Sequence, residues 1–185
     1  MQQRSRYQTA RRILIFWTLF IGIGAVAGAA MMLVDPSGKA FGMDAMLPYF
    51  QVLPLADILF QNFLFSGIAL LIVNGLTNLT AAILLFCRRR SGIVLGGIFG
   101  VTLMLWICIQ FYMFPPNFMS TIYFFFGLAQ AITGYIASVS ARQEAFTVNR
   151  ADYPHIGEHP ERLVVFFSRM GYVRKQAYEE AERTG

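Results

Sequence analysis

The chain has 185 residues, 56% of them hydrophobic, with 18 phenylalanines and only 14% charged residues, against roughly a quarter charged in ordinary soluble domains. The formal net charge is +5, and its basic residues flank apolar runs instead of lining one face, which argues against a nucleic-acid partner and for the lipid bilayer as the natural solvent. Cys87 and Cys108 lie in or at the end of apolar runs without metal-ligand or disulfide spacing, so they read as small buried hydrophobes.

Residues 1–11 form a polar N-terminal segment carrying Arg4, Arg6 and Arg11, with Arg12 next to it. Ile13 to Val34 then runs for 22 residues without a charge, and about 20 suffice to cross a bilayer core. A cleaved signal peptide ending near Ala25-Val26-Ala27 is the rival reading. The run stays apolar beyond that site, which favours a span.

Asp35-Pro36-Ser37-Gly38 is a turn signal. The loop it opens reaches about Asp57, contains Pro48 and Pro54, and suits a short helix lying in the membrane interface. Residues 58–87 form a second apolar run, longer than the bilayer needs, ended by Arg88-Arg89-Arg90. Residues 93–114 make the third, Pro115-Pro116-Asn117 breaks it, and residues 118–140 make the fourth. Residues 12–140 are thus expected to form a bundle of four transmembrane helices.

Fourteen of the 15 Lys and Arg residues fall in the N-terminal segment, the triple-arginine loop or the part after Ser140; Lys39 is the exception. The positive-inside rule therefore places both termini in the cytoplasm. Small residues four apart (Gly24 and Gly28; Gly92, Gly96 and Gly100; Gly127 and Ala131) allow close helix approach, within one chain or between copies in a homo-oligomer.

No Asp, Glu, Lys, Arg or His lies inside the spans, so proton-coupled transport and His-ligated haem have no residues to work with. Asn74, Thr77 and Asn78 share one helical face by their spacing. They suit interhelical hydrogen bonding or, with Gln110, a small polar pocket. Trp106 with Gln110, and Gln130 with Thr133, are similar polar pairs. Residues 141–161 lose the apolar pattern and read as a linker; its His155 and His159 sit among Pro154, Gly157 and Pro160, which spoils a helical metal site, so no metal is assigned.

Leu163 to Phe167 is a β-branched and aromatic run suited to a buried strand, followed by a loop and a helix-forming segment. Ser168-Arg169-Met170-Gly171-Tyr172-Val173, with Ala177 beyond it, resembles the phosphate loop and first helix of flavodoxin-like proteins. The resemblance covers residues 162–185 and implies a phosphate loop for FMN at Ser168 to Val173, although Met170 and Val173 replace the family's hydroxyl residues. One strand and one helix cannot complete that α/β fold. The expectation is an incomplete domain in a chain cut short near Gly185, or a tail docked elsewhere.

Asp35-Pro36-Ser37-Gly38, Gly42-Met43 and the Trp106 to Gln110 pair resemble a family of small bacterial four-helix membrane proteins without an established activity. That likeness implies the bacterial inner membrane. Together these readings predict an all-α membrane bundle anchoring a flavodoxin-like, FMN-dependent electron-transfer module. The alternative is a non-enzymatic structural or small-ligand-binding bundle. In neither case is the chain expected to be an enzyme by itself.

Overall fold

The computed structural model describes residues 6–145 and 172–184. They fall in two units, residues 1–145 and 146–185. In the first, four helices are long and apolar enough to cross a membrane: α1 (Arg6–Val34), the second span (Leu64–Phe86), α5 (Arg90–Met113) and α6 (Phe118–Ala145). The chain is a helical membrane protein whose charged residues avoid the middle of every span.

The polar N-terminal segment does not stand apart, because α1 begins at Arg6 and carries Arg11 within its helix. Arg11 donates from Nε to the Leu85 carbonyl at 3.0 Å, which also accepts the Arg88 N–H at 3.1 Å, so a cation sits against the negative end of the second span. The fourth helix likewise runs to Ala145, past the point where the linker was expected.

The second apolar run is not one helix from 58 to 87. A single turn, α2 (Ala56–Leu59), is separated from the span, which resumes at Leu64 as α3 (Leu64–Leu70), widens into a π-helical stretch at Leu71–Leu76, and continues as α4 (Thr77–Phe86). The break follows from Phe63, whose side chain is fully buried. Its backbone N–H is taken by the Pro36 carbonyl at 2.8 Å, and a residue pinned to a distant loop cannot also propagate the helix.

Between α1 and α2 lie two 3₁₀ segments, Lys39–Phe41 and Asp44–Val52. They close one end of the bundle, here called the loop end; the Arg88–Arg90 turn marks the opposite, arginine end. Phe50 sits at the centre of the loop-end cluster, 5.7 Å from Phe63 edge-to-face and 5.6 Å from Phe114. Gly38 is needed here: its φ of 76° is left-handed, and a Cβ would lie 2.6 Å from the Phe63 ring.

Consecutive spans are neighbours in a four-membered ring, with α5 against α6 the most extensive contact. That contact is made by small residues. A Cβ on Gly100 would lie 2.6 Å from both the Ala131 nitrogen and the Gly127 carbonyl, and Gly134 meets the backbone of Gly97. The helices pack backbone to backbone inside one chain. Gly96 instead receives Leu14, and Gly24 has only the Tyr123 hydroxyl near it, at 3.9 Å.

Against α1 the second span packs along its whole length: Gly22 meets Leu79, Gly75 meets Val26, and Gly67 meets Met32 and Leu33. Against α5 it packs through α4 and the π stretch, while α3 stands away. A π turn is a usual place for a helix to change direction. Large apolar side chains such as Ile23, Ile83, Leu105 and Phe125 point outward from the ring, as lipid-facing residues do. Cys87 and Cys108 are also exposed, which corrects the expectation that they are buried in the core.

In the second unit the described element is the helix α7 (Tyr172–Thr184), with exposed pairs Lys175–Glu179 and Glu180–Arg183. The residues expected to form a strand, 163–167, and the loop residues Ser168, Arg169, Met170 and Gly171 lie outside the described residues. Among the described residues there is no strand. The flavodoxin-like start therefore has no structural support, since Arg, Lys, Gln, Ala and Glu form such a helix by their own propensity. His155 and His159 also lie outside the described residues.

Candidate functional site

Polar side chains in an apolar bundle are placed by the register of their helices, and the π stretch sets that register for the second span. Asn74 is 1% exposed and Asn78 fully buried, so both face the interior. Thr77 is only half-buried and donates to its own helix, to the Val73 carbonyl at 2.6 Å. Asn78 Nδ2 donates to the Asn74 carbonyl at 2.9 Å. A π turn diverts backbone N–H groups from their usual carbonyls, and here two side chains supply donors to those carbonyls.

From the fourth span Gln130, also fully buried, donates through Nε2 to Asn78 Oδ1 at 2.8 Å and to the Gly96 carbonyl at 2.7 Å. Three helices are thereby tied at one level. The bond to Gly96 is possible because a glycine leaves its carbonyl uncovered. Asn78 thus belongs to an interhelical hydrogen-bond network.

The Asn74 side chain does not share in it. Neither its Nδ2 nor its Oδ1 has a hydrogen-bond partner, although both are buried. A buried amide left in this condition costs about 1–3 kcal/mol. Asn74 lies in the wall of a cavity of about 630 Å³ toward the loop end of the bundle. Gln110, Trp106, Ser120, Tyr123 and Asn117 contribute to the same wall. Ser120 donates its hydroxyl to Gln110 Oε1 at 3.1 Å, which fixes that amide between α5 and α6.

The structure therefore brings Asn74 and Gln110 to one chamber, places Asn78 one turn further toward the arginine end, and leaves Thr77 out of the wall. Ser120 and Tyr123 are wall residues that the sequence does not single out. A lone hydroxyl in an apolar run carries no signal until the fold shows which helix faces it. Of the phosphate-loop candidates, Tyr172 and Val173 begin α7, and Val173 is exposed.

Among the described residues, no Asp, Glu, Lys, Arg or His side chain lines the chamber. Ion coordination by carboxylates has no groups to use there, whereas hydrogen bonding to an uncharged molecule has several. Fold and site together define a four-span helical membrane protein with a cavity toward the loop end whose mostly apolar wall carries a few polar side chains. Comparison with protein-family models, with curated proteins and with solved structures gives no match for the chain.

Proposed function

We propose that this protein binds a small, uncharged, lipid-soluble molecule within its transmembrane bundle, in the chamber between Asn74 and Gln110. The observation that carries the reading is the Asn74 amide, buried in the chamber wall with neither polar atom paired. Its size also fits, since small-molecule sites run from about 300 to 1,000 Å³. The distribution of Lys and Arg supports both termini on the cytoplasmic side, and with it a cytoplasmic arginine end and a chamber toward the outer leaflet. Fusing a topology reporter at Gly185 tests that orientation.

The test of binding is extraction of the purified protein with organic solvent, followed by mass spectrometry. A low-mass compound should be released in near-stoichiometric amount from the wild-type chain and be missing from a folded Asn74→Leu variant. Equal recovery from both would remove the reading.

The second reading is a membrane anchor for a flavodoxin-like, FMN-dependent electron-transfer module. What favours it is a helix, α7, where the likeness calls for the first helix. It ranks second because Ser168 is the one hydroxyl residue left of the three that the family's loop offers a phosphate. Those residues do not fit a tight FMN site. A purified protein without a flavin absorbance band would count against this reading.

A further inference from the structure

A second cavity adjoins the chamber. It measures about 470 Å³ and lies between α3 and α5, beneath the Asp44–Val52 segment. It exists because α5 follows α4 and leaves α3 standing away. Five residues, Met46, Leu70, Trp106, Gln110 and Phe114, belong to both walls, so only side chains divide the two spaces. The rest of this gallery is apolar apart from Ser66. Phe65 and Ile109 in its wall are 41% and 50% exposed on the outer face of the bundle, which puts the gallery beside the lipid.

We infer that chamber and gallery form one site for a neutral, single-tailed amphiphile, with its hydrogen-bonding head at Asn74 and Gln110 and its hydrocarbon tail in the gallery. This rests on the reading of the chamber as a ligand site and adds the chemical class of the ligand. The head is neutral because, among the described residues, no Asp, Glu, Lys, Arg or His lines either space, and a charge there would be desolvated without a partner. The head carries both a donor and an acceptor, because Asn74 has one of each to satisfy. The tail is single and apolar because the gallery is one apolar space reached from the lipid side.

The test uses the full chain in phosphatidylcholine nanodiscs. The chain has two tryptophans, and Trp17→Phe leaves Trp106, at the junction of the two spaces, as the fluorescent reporter. The probe is a 1-monoacylglycerol brominated in its acyl chain, since bromine quenches tryptophan at near contact. Quenching should be saturable, reversed by unbrominated monoacylglycerol, and not reproduced by brominated phosphatidylcholine at equal bromine content. Asn74→Leu should weaken binding at least tenfold. Ala69→Phe and Ser66→Leu, which fill the gallery from two positions, should each do the same while circular dichroism shows an intact bundle.

Binding that depends on Asn74 but is unchanged in both gallery variants would overturn the inference and leave the chamber reading standing. So would unsaturable quenching by a protein that still releases an Asn74-dependent compound on extraction. If quenching is unsaturable and extraction releases nothing, water alone occupies the chamber and both readings fall.

Discussion

Gln130 on the fourth span reaches across the ring to Asn78 on the second, donating Nε2–H to Asn78 Oδ1 at 2.8 Å. The two helices are diagonal neighbours with little direct contact, so this bond and its companion to the Gly96 carbonyl hold a level of the bundle that apolar packing alone does not specify. Such bonds set which helix faces meet.

Gln130→Leu leaves Asn78 Oδ1 and the Gly96 carbonyl without their donor. It should lower the unfolding free energy by about 1–2 kcal/mol. Reversible unfolding in mixed micelles measures this. Combining it with Asn78→Leu should cost less than the two single changes together, since each alone strands the other's amide. Strict additivity would show that the pair is not coupled.

The two asparagines of the second span should respond in opposite directions. Asn78→Leu loses a bond to Gln130 and destabilises, whereas Asn74→Leu removes an amide with no partner at all. The Asn74 variant should be more stable than wild type by about 1 kcal/mol in the unliganded state, because an apolar group of similar shape carries no desolvation penalty. The same denaturation assay reads it. A binding site that is costly when empty is the expected signature of function traded against stability.

The α5–α6 seam should be intolerant of added volume. Gly100→Val puts atoms where the Ala131 nitrogen and Gly127 carbonyl already stand 2.6 Å from an ideal Cβ. Neither backbone can give way, so a loss of at least about 2 kcal/mol is expected. Gly24→Ala, with nothing nearer than 3.9 Å, should change stability by less than about 0.5 kcal/mol and serves as the control.

Asp35 organises the loop that covers the chamber. The Ser37 hydroxyl, donating at 2.6 Å, and then the Ala40 N–H at 2.7 Å hold its carboxyl below the usual carboxylate range. A carboxylate whose pKa is lowered on folding lends stability at pH values above its unfolded pKa. That contribution is lost as pH falls through the folded value. The loop should therefore be ordered at neutral pH and loosen in acid below the ordinary carboxylate range. Proteolysis within residues 35–57 should quicken there, and Asp35→Asn should quicken it already at neutral pH.

The amino-acid sequence by itself determined the solvent, the number of spans and the positions of the turns. Runs of about twenty uncharged residues are long enough to cross a bilayer, and arginines and prolines cannot sit comfortably within them, so these features are local. The polar residues were visible too, but not their partners. Spacing put Asn74, Thr77 and Asn78 on one face of a regular helix, whereas the π stretch at Leu71–Leu76 left Thr77 half-buried and bonded to its own helix. It also left Asn74 in the chamber wall and Asn78 within reach of Gln130.

Likewise the break at residues 60–63 comes from Phe63 bonding to Pro36, a contact between distant parts of the chain that no local pattern announces. Only the tertiary structure decided which buried amide atoms are satisfied and which, both of Asn74's and Gln130 Oε1, are left over. The reason is physical: a hydrogen bond belongs to two groups, and the second group lies on another helix.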